Sequence, residues 1–350
     1  MADGVPTRSP TILDVARRAK VSKSTVSNVV RGVAGVTAPT RARVLRAIEA
    51  LGYRPNVLAR QLVQQRTTIL GVVAGDLSNP FHAEMVQQVE RHAALHGYRT
   101  MFCSTQSSEA AELSGLVSLL EYRVAGIVFL AHAAQSERAQ RLVEGRVPAV
   151  FASCSADWGD TVCADDEHGA GLAARHLIEL GHRRIAYFAD PLVEDVADRA
   201  RQRGYRRTMR RVGLTATIFH WQRAPRKVLH DGRELSLQDA LSGPQRVTAV
   251  FSSNDLGAIE LLDVADRLGM SVPGELSIIG FDDVLMAGLA RINLTTVAQP
   301  KEMLARLAVE TLAARLDGTL TGERVRRTVP VELVERGSTA APALHQRKAG

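Results

Sequence analysis

The sequence predicts a small all-α head built on a helix-turn-helix and extended by a short hinge helix, followed by an α/β body with parallel sheets. Three observations predict it. Residues 11–30 read as two short helices joined by a tight turn, basic excess is confined to that end of the chain, and six short apolar runs alternate with amphipathic helical stretches through much of the remainder. Residues 1–66 carry a net charge of +9, whereas the other 284 residues carry −2. A basic head on a near-neutral body is the electrostatic footprint of a phosphate-binding module. Its charges are interleaved with apolar positions at helical spacing, unlike those of a solvated basic tail.

The first helix starts at Thr11, with Asp14 three residues on in a capping-box arrangement and Ile12, Val15, Ala16 and Ala19 turned inward. Lys20 stands in the turn, where a positive φ costs a non-glycine residue about 1 kcal/mol. Ser22 can cap the second helix, after which Val26, Val29 and Val30 share one side while Lys23, Ser24, Ser27 and Asn28 share the other. A small Ala-rich contact between the two helices lets the second project into a DNA major groove. There Lys23 can donate to guanine O6 and N7, and Asn28 can pair bidentately with adenine.

Thr37 and Pro39 start a third helix, with Val44, Leu45, Ile48 and Leu51 on one face and Gly52 as its stop. Beyond it Pro55 breaks the chain and Asn56 can cap a further helix of about two turns, too short to persist unless something packs on it. Leu62 would project from that helix, either as an apolar wedge pushed between base steps in a minor groove or as a linker residue packing on the body.

In the body the apolar runs are Ile69 to Val73, Gly126 to Leu130, Ala149 to Ala152, Ile185 to Phe188, Ala249 to Phe251 and Ser277 to Phe281. Helical stretches at Phe81 to His96, Glu109 to Tyr122, Gly169 to Leu180 and Leu256 to Leu268 separate many of them. Ligands of such folds bind beyond the carboxyl ends of the strands, and between lobes where there are two. Ser78-Asn79-Pro80-Phe81, Asn254-Asp255 and Asp282-Asp283 all follow a strand end, which places them in such a cleft. Asn79 and Asn254 could equally be turn or cap residues, and Asp282-Asp283 a solvated turn.

Taken together and in order, these segments resemble the LacI/GalR (lactose-repressor) family of bacterial transcription regulators, from about Thr11 to about Thr339. The likeness rests on Thr11, Asp14, Val15, Ala16, Ala19, Val21, Ser22, Thr25, Val26 and Ser27 in the head. In the body it rests on residues 71–81, Ser252-Ser-Asn-Asp255, Ile279-Gly-Phe-Asp-Asp283, residues 294–300 and residues 332–339. The resemblance implies a two-lobed, periplasmic-binding-protein-like body, and a homodimer whose paired heads read a roughly palindromic operator in double-stranded DNA. It implies DNA contacts at Thr11, Ser22, Lys23, Ser24, Thr25, Ser27, Asn28 and Asn56, with Leu62 as the wedge. It implies a small-molecule effector, a sugar or nucleoside, at Asn79, Phe81, Ser153, Arg201, Asn254, Asp282 and Gln299. The expected function is repression under effector control, with inducer and corepressor readings equally open. The expected domains are a head at 1–55 with 1–10 disordered, a hinge and linker at 56–66, a body at 67–339 and a tail at 340–350. Lobe 1 takes about 67–164 and 297–325, and lobe 2 about 165–296 and 326–339.

Several residues depart from the family pattern. Ser153 stands where an Asp is common, Asp190-Pro191 replaces Gly-Pro, and His220 to Arg233 is unusually basic, which reads as a solvated loop before an anion site. The competing classes are a free solute-binding protein and a sugar-active enzyme. The N-terminus lacks the apolar segment of a secretory signal and no apolar run approaches the roughly 18 residues of a membrane span, so a cytoplasmic, nucleoid-associated protein is expected. There is no G-x-S-x-G, G-x-x-x-x-G-K-[ST] or H-E-x-x-H motif, so no catalytic residue, metal or cofactor is expected. His92 and His96, four apart, read as an exposed helix face, and Cys103, Cys154 and Cys163 as buried free thiols.

Overall fold

The computed structural model describes residues 10–30, 32–54, 67–106, 108–130, 136–189, 196–222, 227–230, 233–236, 241 and 246–343. The chain divides into two compact units, residues 1–67 and 68–350.

The head is three helices, α1 (Ile12–Ala19), α2 (Lys23–Val30) and α3 (Ala38–Leu51). Asp14 folds back on the start of α1, its Oδ2 accepting from Thr11 N at 2.9 Å and Thr11 Oγ1 at 2.6 Å. Lys20 ends α1 in the left-handed region at φ 49°, which lets Val21 N return to Ala16 O at 3.0 Å and sets the tight turn. Gly52 ends α3 the same way, at φ 61°. Val15, Ala16, Ala19, Val26, Val29, Val44 and Ala47 form the buried core. Leu45 departs from the expected inner face and is exposed. The α3 stripe runs through Val44, Ala47, Ile48 and Leu51, so the smaller Ala47 takes the central place that spacing alone gave to Leu45.

The body holds two sheets. The first is wholly parallel, ordered β13-β5-β4-β3-β1-β2, with β1 (Ile69–Ala74), β2 (Arg99–Ser104), β3 (Gly126–Leu130), β4 (Ala149–Ala152), β5 (Asp160–Ala164) and β13 (Arg326–Val329). The second is ordered β14-β12-β11-β10-β6-β7-β8-β9, with β6 (Ile185–Ala189), β7 (Thr217–Gln222), β8 (Lys227–His230), β9 (Arg233–Ser236), β10 (Ala249–Ser252), β11 (Ser277–Asp282), β12 (Thr295–Ala298) and β14 (Glu332–Val334). All six apolar runs are strands, and β1, β3, β4, β6 and β10 are almost wholly buried, as parallel strands covered on both faces must be.

Three expectations need correction. Arg326–Val329 pairs parallel with β5, from Arg326 opposite Thr161 to Val329 opposite Ala164, so lobe 1 extends to residue 329, not 325. Its first three residues are exposed and polar, and an edge strand of that kind carries no apolar signal. Likewise β12 stays whole in lobe 2 through Ala298, beyond the expected limit of 296, because it pairs with β11 as far as Asp282. Within the basic stretch from His220 to Arg233 the described residues are strand, not loop: β7, β8 and β9 pair antiparallel as an extension of the second sheet. Cys154 is buried, whereas Cys103 and Cys163 are half-buried.

Four helices position the site. Helix α4 (Pro80–Leu95) follows β1 and packs on α10 (Lys301–Asp317) in lobe 1, while α7 (Asp166–Glu179) and α8 (Val196–Arg211) pack together in lobe 2. Between them in sequence come α5 (Glu109–Glu121), α6 (Glu137–Val143) and, after α8, α9 (Asp255–Arg267). The close approach of α7 and α8 depends on Gly204, where a Cβ would overlap the main-chain oxygen of Glu167.

Candidate functional site

In the head, the N-terminus of α2 is a cluster of hydroxyls. Ser22 Oγ accepts from Thr25 N at 3.1 Å and lies 2.7 Å from Ser24 Oγ and 2.8 Å from Thr25 Oγ1. Ser22, Lys23 and Ser24 are exposed and Thr25, Ser27 and Asn28 half-buried, over the buried Val26 and Val29. Thr11, also assigned to DNA, spends its hydroxyl on Asp14. Asn56 and Leu62 lie outside the described residues.

In the body, Arg201, Asp282 and Gln299 meet where β11 and β12 end. Arg201 is buried on the inner side of α8, its Nε donating to Asp166 Oδ1 at 2.8 Å and its Nη1 to Ser253 O at 2.6 Å. Its guanidinium lies 3.8 Å from the centre of the Phe281 ring, a stacked geometry open to Arg and not to Lys. Asp282 Oδ1 stands 4.0 Å from Arg201 Nη1 and accepts from Gln299 Nε2 at 2.7 Å. Gln299 Oε1 is buried with no hydrogen-bond partner among the described residues.

Asp282 is 2% exposed, so it is no solvated turn. Burial pushes its carboxyl up to about 8 against the opposing pull of Arg201, with the nearby Asp255 charge adding to the rise. Burial likewise raises Asp255 to about 6, although its carboxylate accepts from Thr296 Oγ1 at 2.5 Å and Val284 N at 2.9 Å. Burial thus favours the protonated form of both carboxyls, against the opposing charges of Arg201 on Asp282 and of Lys301 on both.

The remaining assigned residues are held by local contacts. Asn254 caps α9, its Oδ1 accepting from Gly257 N at 2.8 Å, and Asn79 caps α4, accepting from Phe81 N at 3.0 Å, so both fill the cap role the sequence allows. Phe81 is buried in the apolar cluster with Met85. Ser153 sits at φ 58° just past β4, with its hydroxyl donating to Ala152 O at 2.6 Å. Together with Asp166, Ala200, Thr328 and Cys163 it lines a cavity of 180 Å³ between the strand ends of lobe 1 and the starts of α7 and α8. That volume is below the roughly 300 Å³ of drug-sized sites and suits a ligand of one ring.

Sequence reasoning missed Asp166, the partner of Arg201. A signal was present: Asp166 and Glu167 form an acidic first turn, and Asp165 caps α7 by accepting from His168 N at 3.0 Å, so that the helix starts three residues before its expected start. It also missed Lys301 and Glu84, whose meeting depends on packing of distant segments. His92 is buried, contrary to an exposed helix face, and His96 is exposed. Among the described residues no group of three or more His, Cys, Asp or Glu could hold a metal ion, and no helix is long and apolar enough to cross a membrane.

Comparison with known proteins bears on both parts. Residues 11–56 match the family described as bacterial regulatory proteins, lacI family, and residues 174–339 match a periplasmic binding protein-like domain. The chain is 35% identical over 335 residues to the ribose operon repressor of Escherichia coli K12, covering 94% of this chain and 99% of that one. It is 34% identical over 304 residues to catabolite control protein A of Priestia megaterium, covering 86% and 91%. A crystal structure of the lac repressor dimer bound to operator and the anti-inducer ONPF superposes with a TM-score of 0.78 at 26% identity, covering 95% of this chain and all of that one.

Proposed function

The chain belongs to the lacI family of bacterial regulatory proteins, and we propose that it is a homodimeric repressor whose operator affinity is set by a sugar or nucleoside bound between the lobes of its body. As a family member it is a DNA-binding transcription regulator with a periplasmic-binding-protein-like body. In this reading α2 enters the major groove through Ser22, Lys23, Ser24, Thr25, Ser27 and Asn28, with Thr11 and Asn56 at phosphates and Leu62 in the minor groove. The protein works in the cytoplasm, on the nucleoid, and calls on no metal, cofactor or catalytic residue.

One observation carries the effector assignment. Gln299 Oε1 is a buried acceptor without a partner among the described residues, beside an Asp282 carboxyl and an Arg201 guanidinium. An unpaired buried acceptor costs about 1–3 kcal/mol, which a ligand hydroxyl would recover by donating to it. Adjacent hydroxyls match Asp, Arg and Gln groups, each able to bond two neighbours. A change in lobe geometry of about 1–3 kcal/mol on binding is enough for a 5- to 150-fold change in DNA affinity.

Selection of random duplexes with the purified protein tests the DNA reading, and recovery of a palindrome is the expected result. A thermal-shift screen of pentoses, hexoses and nucleosides tests the effector. A hit should raise the melting temperature of the parent, fail to raise that of Gln299→Ala, and alter affinity for the selected palindrome. Absence of any enriched motif from folded protein, with or without those compounds, would refute the regulator reading.

A further inference from the structure

The outer face of α8 carries a charge arrangement that neither the fold nor the effector cleft uses. Arg203, Arg206, Arg207, Arg210 and Arg211 line, with Glu167 of α7, an open groove of 480 Å³. At helical spacing these arginines share one side of α8, while Arg201, Tyr205 and Thr208 are buried on the other. Glu167 pairs with Arg203 at 3.3 Å and with Arg207. Arg206, Arg210 and Arg211 are exposed, and none makes an ion pair with a described residue.

No other described helix carries five arginines on one face. On other helices some arginines pair with a carboxylate one turn away, as Arg141 does with Glu137 at 2.7 Å, Arg267 with Asp263 at 3.0 Å and Arg306 with Glu310 at 3.0 Å. The single acid on α8, Asp198, is buried and accepts from Tyr187 Oη at 2.5 Å and Gln202 Nε2 at 2.7 Å. Arg203 and Arg207, Arg206 and Arg210, and Arg207 and Arg211 are like charges four apart, an arrangement that weakens a helix. Arginine at the end of α8 does favour the helix dipole, but Arg210 and Arg211 already supply that.

We propose that the groove is a second small-molecule site, separate from the cleft, that binds an oligophosphate. Five guanidiniums and one carboxylate leave it strongly positive over about 12 Å of helix at 1.5 Å per residue. Guanidinium forks match phosphate oxygens bidentately, and a chain of phosphates concentrates several negative charges over such a span. On binding, the ligand competes with Glu167 for Arg203 and Arg207. Glu167 adjoins Asp166, the partner of Arg201, so the second site reaches the first through one turn of α7.

The test is isothermal titration calorimetry of the full-length protein with inorganic tripolyphosphate at fixed ionic strength. Saturable binding of one ligand per chain is expected, retained by Lys23→Ala in the basic head and weakened at least tenfold in Arg206→Gln/Arg210→Gln. Both substitutions lie on an exposed face, and an unchanged melting temperature checks that the double variant is folded. No saturable heat overturns the proposal. So do equal binding by the double variant, full competition by equimolar sulfate, and binding of an oligo-aspartate peptide in place of tripolyphosphate.

Discussion

Lys301 Nζ lies 3.1 Å from Glu84 Oε2, and this pair, carried by two helices of lobe 1, grips the main chain of lobe 2. The same ammonium donates to Asp282 O at 2.9 Å and Asp283 O at 2.6 Å, while Glu84 Oε1 accepts from Leu285 N at 2.9 Å. Asp282 and Asp283 both have positive φ, 127° and 52°, a conformation that costs a non-glycine residue about 1–3 kcal/mol unless its surroundings impose it. Here Lys301 holds their carbonyls, Gln299 the Asp282 carboxyl and Arg336 the Asp283 carboxylate at 2.7 Å. The turn that presents Asp282 to the cleft is therefore bound directly to the other lobe.

Replacing Lys301 by Met should destabilise the body by about 1–3 kcal/mol, because Glu84 and two carbonyls lose a charged partner in a half-buried place. Combining it with Glu84→Gln should cost less than the two single changes added together. Urea denaturation of the four proteins gives the coupling, and strict additivity would show that the pair does not act as a unit.

Asp282 sets a pH dependence. Its carboxyl rises from 3.8 to about 8 in the folded protein, so between these values the folded state holds a proton that the unfolded state has released. Its contribution to stability is fully present below about pH 4 and is lost as pH rises toward 8. Asp282→Asn, which keeps a neutral side chain at every pH, should gain on the parent as pH increases across that window. Denaturation midpoints of both proteins measured from pH 4.5 to 8.5 check this, and a constant difference would contradict it.

Gly204→Ala should cost about 1–3 kcal/mol, since the added methyl overlaps main chain of α7 that cannot rotate aside. Arg201 lies one turn earlier on the same helix, so ligand affinity should fall with stability. Calorimetric unfolding and effector titration of the variant measure the two effects.

Lys23→Ala and Asn28→Ala should each weaken binding to the selected operator by about 1–3 kcal/mol and relax base preference, leaving the melting temperature unchanged. Both side chains stand off the buried Val26 and Val29 stripe of α2. Fluorescence anisotropy with operator and with single-base variants reads both effects. Affinity of the parent should also fall steeply with added salt, as counterion release requires.

Local periodicity was enough for the three helices of the head apart from the inner face of α3, for the left-handed turn at Lys20 and for all six apolar strands, because each depends on residues a few positions apart. It was also enough to place Asp282 at a strand end and Asn79 and Asn254 at helix starts. Long-range packing decided the rest. Arg201 meets Asp166 across 35 residues, Lys301 meets Glu84 from the far end of the body, and Gln299 meets Asp282 only once β11 and β12 are paired. Arg326–Val329 joins lobe 1 by main-chain pairing with β5, by Arg326 donating to Thr161 Oγ1 at 2.9 Å and by burial of Val329 alone among its side chains. Side-chain periodicity reports which face of an element is buried, whereas ion pairs and edge strands depend on where the chain returns in space, and no pattern of neighbouring residues encodes that return.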